Sequence, residues 1–173
     1  MSGEIHISSQ LGKGTTVTII LPLQMTDTPV GIQEAAASVS EEPSLFLEGR
    51  KILVAEDNMI NMEIATEYLK MQGAQVLQAW NGQEAVDIFS SLEPQSLDAI
   101  LMDMQMPQMD GCTASQLIRQ MDRPDAGTIP IIAVTANAFA EDIAKTTRAG
   151  MDAHISKPLD MRDLMEVLKK YIR

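Results

Sequence analysis

The stretch DAILMDMQMPQMDG, residues 98–111, opens like a buried strand and then delivers a carboxylate to its tip. Ala99-Ile100-Leu101-Met102 are apolar at successive positions, Asp103 follows, and the chain breaks into methionines, a proline and Asp110-Gly111. A partly desolvated carboxylate is costly unless it is paired. Asp103 therefore either caps a neighbouring element or has chemistry to perform, and the residues that converge with it decide which.

Working outward from that strand, short apolar runs alternate with helical patterns from Arg50 to the end. KILVA (51–55), AQVLQA (74–79), DAILM (98–102), IPIIAVT (129–135) and AHIS (153–156) read as strands. Between and after them the spacing predicts five helices. The first, NMINMEIATEYLKMQG, has Ile60, Ile64 and Leu69 among its apolar positions and Gly73 as its stop. The second runs from Asn81-Gly82 to about Leu92, and the third from Asp110-Gly111 to about Met121. The fourth is AFAEDIAKTTRAG, closed by Gly150. The last is DMRDLMEVLKKYI, capped by Asp160 with Asp163 three residues on. Strands that are apolar at consecutive positions have both faces covered. The expectation is a (βα)5 doubly wound α/β fold with a five-stranded parallel sheet; periodicity alone leaves the strand order open.

Two further zones precede it. GEIHISSQLGKGTTVTIIL (3–21) reads as a β-hairpin around Leu11-Gly12-Lys13-Gly14. Residues 24–49 mix Ser, Ala, Glu and Pro without a sustained period and read as a flexible linker. Leu45-Phe46-Leu47 is the exception, apolar enough to dock on a neighbour. The expected division is 1–23, 24–49 and 50–173.

Bulk properties narrow the function. A net charge of −11 over 173 residues argues against nucleic-acid binding, which needs clustered Lys and Arg. The lone Cys112 excludes an internal disulfide and fits a reducing compartment. No signal-peptide pattern and no apolar run of about 20 residues occurs, so no membrane insertion and a cytoplasmic location are expected. With aromatic residues at 3%, the core must be built from Ile, Leu, Val, Ala and Met.

In a doubly wound sheet, ligands bind beyond the carboxyl ends of the strands. Those ends carry Glu56-Asp57, Ala79-Trp80-Asn81, Asp103, Thr135-Ala136 and Lys157-Pro158. Three carboxylates in one pocket repel and stay ionised together only around a cation. Oxygen donors without clustered His or Cys favour a hard ion such as Mg²⁺ or Ca²⁺, and acids drawn from different strands argue against a single-loop Ca²⁺ site. A metal, an ammonium and a hydroxyl around one carboxylate suit the receipt of a phosphoryl group, with Asp103 as nucleophile. Taken singly each residue has a plainer role. Asp57 or Asn58 would cap a helix, and Asp103 would pair with Lys157. Jointly they are hard to explain as coincidence. Met102, Met104, Met106 and Met109 read as packing rather than as a soft-metal site, and Cys112 as a packing residue.

These motifs carry a family resemblance. Val54-Ala55-Glu56-Asp57-Asn58, Leu101 to Gly111, Val134-Thr135-Ala136-Asn137-Ala138 and Gly150 to Pro158 resemble the receiver domain of two-component response regulators, especially the version attached to hybrid sensor histidine kinases. The resemblance covers 50–173 and implies a flavodoxin-like receiver fold. It implies that Asp103 accepts a phosphoryl group, and that Asp57 and Asp103 bind Mg²⁺ directly, Glu56 through water, and Gln105 through its backbone carbonyl. It further implies that Thr135 and Lys157 hold phosphoryl oxygens, that Lys157-Pro158 is cis, and that Gln105 and Asn137 flank the path of attacking water. The implied partners are a phosphohistidine donor domain of a histidine kinase and a histidine phosphotransfer protein. Three residues before the lysine, where the family usually has Tyr or Phe as the switch coupled to Thr135, stands His154. A tolerated surface ring is the preferred reading there, and a pH-sensitive switch the other.

The hairpin and the following Leu21-Pro22-Leu23 resemble the last strands of a histidine kinase ATP-binding domain. The asparagine helix, the Asp-x-Gly-x-Gly segment and the nucleotide lid of that domain do not occur in this sequence, so no phosphorylation from ATP is expected of it. Gly12-x-Gly14 reads as a turn and His6 as a plain strand residue. The expected function is a phosphoacceptor module at the C-terminus of a hybrid kinase, with any inner-membrane anchor carried by the parent. The alternative is a Mg²⁺-dependent phosphatase with an Asp nucleophile, disfavoured because Gln105 stands where a general acid is wanted, two residues after Asp103. A degenerate scaffold is disfavoured because every phosphoryl-handling position is filled.

Overall fold

Residues 4–10, 12–20, 45–136 and 140–172 are described by the computed structural model. They fall into two units, divided between Glu41 and Glu42. In the first, β1 (Glu4–Gln10) and β2 (Gly14–Ile20) pair antiparallel with Ile5 opposite Ile19 and Ile7 opposite Val17. The Lys13 N–H donates to the Gln10 carbonyl, and Gly12 and Gly14 take positive φ, so the segment is the expected turn. His6 lies exposed in β1 beside Glu4. Leu21-Pro22-Leu23 and linker residues 24–44 lie outside the described residues.

In the second unit the sheet strands are β3 (Lys51–Ala55), β4 (Gln75–Ala79), β5 (Ala99–Asp103), β6 (Ile131–Thr135) and β7 (Ala153–Ser156). All neighbours are parallel, in the order β4-β3-β5-β6-β7. The helices are α1 (Met59–Met71), α2 (Gly82–Ser91), α3 (Gly111–Arg119), α4 (Ala140–Arg148) and α5 (Met161–Tyr171). The (βα)5 reading holds, and the structure supplies the order that periodicity could not. The direction in which strands are added reverses about β3, with β4 on one side of it and β5 on the other. The cleft between the tips of β3 and β5 is therefore the switch point where such sheets bind ligands.

Alternate strand residues serve opposite faces, which is why the strands are apolar throughout. Ile52, Val54, Leu101, Ile132, Val134 and Ile155 pack with Met62, Ala65 and Leu69 of α1 and Leu164 and Leu168 of α5. Leu53, Ala55, Ile100, Met102, Ile131 and Ala133 pack with Ala85, Val86 and Phe89 of α2 and Ala114 and Ile118 of α3. Met104, Met106, Met109 and Cys112 lie against this second cluster, in keeping with a packing role. Of the apolar positions named for α1, only Leu69 is buried, while Ile60 and Ile64 are 63% and 50% exposed. The buried stripe is Met62, Ala65, Thr66 and Leu69, one step round the helix, because the small Ala65 and Thr66 let α1 lie close to the sheet.

Leu47 is fully buried in the α1–α5 face of the core, and its N–H donates to the Gln72 carbonyl at 3.0 Å. Phe46 packs beside it with the Lys169 ammonium 5.7 Å from the ring centre. Docking of 45–47 thus falls on Phe46 and Leu47, whereas Leu45 stays 40% exposed. Gly73, at φ +90, accommodates this strap, since a Cβ there would meet Glu48 and Leu45 at 3.0 Å. On the other face the Arg123 guanidinium lies 4.1 Å over Phe89, bonds Asp125 at 2.6 and 3.0 Å, and donates to the Phe89 and Leu92 carbonyls. Asp125 in turn accepts the Gln95 N–H at 2.7 Å. This clamp ties together the loops ahead of β5 and β6. Truncation of the strap by Leu47→Ala is expected to cost about 3 kcal/mol of stability, read as a lower urea midpoint with an unchanged slope.

Candidate functional site

The tip of β3 presents buried Glu56 and exposed Asp57, and the tip of β5 presents Asp103, 3% exposed. Among the described residues these three acids bring ligating oxygens within 4.8 Å of one another. Octahedral Mg²⁺ with oxygen ligands at about 2.1 Å needs donor separations of roughly 3–4 Å. The donor set is all oxygen, and it fits a hard divalent ion with little closure.

Lys157 enters from beyond β7, where Lys157–Pro158 is a cis peptide. Its backbone N–H donates to the Thr135 carbonyl at 2.7 Å, tying the β7 tip to the β6 tip. Its ammonium bonds Asp103 Oδ2 at 2.7 Å and Glu56 Oε2 at 2.8 Å. Asp103 Oδ1 accepts the Gln105 N–H at 3.1 Å. Burial pushes the Asp103 carboxyl above the usual carboxylate range, against the bonds from Lys157 and Gln105, and the Glu56 charge adds to the rise. Burial acts to lower Lys157, but its bonds to Asp103 and Glu56 outweigh it and hold the ammonium above its ordinary value.

Thr135 is 5% exposed at the end of β6, one residue beyond the Val134 that pairs with Asp103. Ala136 is exposed next to it, and Asn137 lies outside the described residues. Gln105 is exposed in the turn after β5. That turn must return at once into α3, and Gly111 permits it: a Cβ there would fall 2.1 Å from the Asp103 carbonyl oxygen. Asp110 caps α3 through the Thr113 N–H at 2.9 Å. His154 is exposed on β7, paired in register with Ala133, which agrees with the surface-ring reading. So the structure brings Glu56, Asp57 and Asp103 together with Lys157 bonded to two of them, joins Gln105 and Thr135 to the site through backbone hydrogen bonds, and leaves His154 exposed on β7.

The sequence reading passed over Asn61. Its Nδ2 donates to Glu56 Oε1 at 2.9 Å, and its N–H, with that of Ile60, is capped by Asn58 Oδ1. The cap-to-third-residue spacing Asn58-x-x-Asn61 was the available signal.

Fold and site define a class: a doubly wound α/β domain with an acidic cation pocket and a lysine at its strand tips. A family model for the response regulator receiver domain matches residues 52–169, and the chain belongs to that family. Hybrid signal transduction histidine kinase L of Dictyostelium discoideum is 38% identical over 138 residues, 79% of this chain, which spans 8% of that kinase's length. The receiver domain of sensor histidine kinase PA1611 of Pseudomonas aeruginosa PAO1, a structure with magnesium coordinated in the active-site cleft, is 34% identical with a TM-score of 0.64, covering 71% of this chain and 97% of that one. A co-crystal structure from Saccharomyces cerevisiae, of the histidine phosphotransfer protein Ypd1 with the receiver domain of its downstream response regulator Ssk1, matches at 26% identity and TM-score 0.64, covering 72% and 90%.

A stability test follows from the crowded charge. The Asp103 carboxyl titrates higher in the folded chain than in the unfolded one, so ionising it costs stability. That cost sets in as pH rises past the ordinary carboxylate value and is complete above the folded one. Metal-free Asp103→Asn is therefore expected to unfold at higher urea than wild type at pH 7. The gap should close in acid, below the ordinary carboxylate value.

Proposed function

We propose that this chain is the phosphoacceptor module of a phosphorelay, with Asp103 as the acceptor and Mg²⁺ as its cofactor. The observation that carries the reading is Lys157 bonded to both Asp103 and Glu56 within an acidic pocket that fits a hard cation. Asp57 and Asp103 would hold the ion directly, Glu56 through water and Gln105 through its carbonyl. When bound, the ion offsets the charge of the carboxylates and of the incoming phosphate. One P–N bond of a phosphohistidine breaks with its electron pair left on nitrogen, and one P–O bond forms to Asp103. Lys157, already 2.7 Å from Asp103, and Thr135 would meet the equatorial oxygens as charge gathers there. A half-buried ammonium already bonded to the acceptor needs little rearrangement.

The donor would be a histidine kinase's phosphohistidine domain, and the next carrier a histidine phosphotransfer protein. The pairing of Ypd1 with a similar receiver supports that, as do Met59, Ile60 and Ile64, which are 69%, 63% and 50% exposed on the first turns of α1. An apolar patch beside the acceptor suits a helical partner that must bring its histidine to Asp103. In the division 1–23, 24–49 and 50–173, the hairpin would be the closing strands of an ATP-binding domain and the middle segment a tether. Cross-strand Ile5–Ile19 and Ile7–Val17 pairs lie exposed on one hairpin face and support a packing partner for it. Within a hybrid kinase this segment accepts phosphoryl groups rather than drawing them from ATP. Among the described residues no helix is long and apolar enough to cross a membrane.

Incubation with Mg²⁺ and acetyl phosphate is expected to add one phosphoryl mass to wild type and none to Asp103→Asn. Equal labelling of the two would refute the assignment, and many turnovers of a phosphate ester would favour the phosphatase alternative. Ile60→Asp should slow transfer from a phosphorylated histidine phosphotransfer protein by roughly tenfold or more. Acetyl phosphate labelling, which needs no docking, should be retained.

A further inference from the structure

We infer that Asn61 is a positioning residue for the divalent cation, acting through Glu56; the inference rests on the receiver reading above. Glu56 is 5% exposed and both its oxygens are occupied. Oε2 takes Lys157 at 2.8 Å. Oε1 takes the Asn61 amide at 2.9 Å, Lys157 at 3.1 Å and the Asn58 N–H at 3.4 Å. Asn61 stands at the third position of α1, with its own N–H fixed by Asn58 Oδ1 at 3.2 Å. In an ordinary capping box the third side chain reaches back to the N–H of the cap residue. Here Glu56 accepts that N–H, and Asn61 turns its donor onto Glu56 instead. The start of α1 is thereby stitched to a metal-site carboxylate.

The chemistry explains why an amide serves. Lys157 already brings one cation to Glu56, and a second cationic donor in this place would compete further with the metal. A neutral amide fixes one oxygen and leaves the charge available to the ion or its water. Without Asn61, Lys157, which already bonds both oxygens of Glu56, is the remaining strong donor to them and is drawn further toward Glu56 and off Asp103, where phosphoryl transfer needs it. Outer partners that orient ligating carboxylates typically change metal affinity by about 10–100-fold when removed.

The test uses the full chain as Asn61→Leu, which keeps bulk and removes the donor, and as Asn61→Ser, too short to reach Glu56 should the leucine variant fold poorly. Titration calorimetry with MgCl₂ is expected to give a Kd raised about tenfold. The rate of acetyl phosphate labelling should fall at low Mg²⁺ and recover at saturating Mg²⁺, a split that lost folding cannot mimic. Urea midpoints without metal should change little. An unchanged Mg²⁺ Kd in the folded variants overturns the inference, as does a lowered urea midpoint with no change in Kd. If wild type itself takes up no Mg²⁺, the receiver reading falls and this inference with it.

Discussion

Three carboxylates held within 4.8 Å of one another, with a single lysine among them, set the terms for the rest of the structure. Left alone, the charges of Glu56, Asp57 and Asp103 would repel one another. Lys157 offsets part of that repulsion by bridging Glu56 and Asp103. Burial, with a smaller part from the Glu56 charge, nonetheless holds the Asp103 carboxyl above its ordinary range, and a cation at the site would favour its ionised form. A pocket with an excess of negative charge is primed for a divalent ion, and a pocket with ion and lysine is primed for a phosphate. The same imbalance thus favours each ligand in turn.

Holding such a site open requires rigid surroundings. Five parallel strands buried on both faces supply the platform, and the reversal at β3 places the two acid-bearing tips next to each other. Local devices then fix the approach of each group. Asn58 caps α1, the Lys157 N–H is tied to Thr135, and Gly111 lets the chain turn without striking the Asp103 carbonyl. Helix α1 has two tasks. Its inner stripe of small and apolar residues packs on the sheet, while Met59, Ile60 and Ile64 face outward beside the acceptor. An apolar residue at helical spacing need not belong to the core, and here three of them are exposed.

Much of this was legible in the chain itself. Strand and helix spans could be read because buried parallel strands demand consecutive apolar residues, as in IIAVT, and because Asn58, Asn81, Asp110 and Asp160 announce helix starts. Acids and the lysine at strand ends could be read because open α/β sheets gather ligands on that edge. The burial of Leu47 was less legible, since a short apolar run in a polar segment fits either a docked strap or a chance cluster. The Arg123–Asp125 clamp and the Asn61–Glu56 bond were not legible. Each depends on the direction in which one polar side chain points, and that is set by neighbours distant in sequence or by a cap geometry that spacing alone does not specify.

Alone, then, the sequence determined the number and kind of elements, the identity of the groups at each strand tip, and hence the chemistry they could perform together. Periodicity and residue type are local properties and survive without knowledge of the fold. Tertiary structure decided the strand order, the face that α1 turns to the sheet, and the bonds that orient Glu56. Those depend on packing between segments far apart in the chain, where a rotation of one helical position exchanges a core residue for a docking surface.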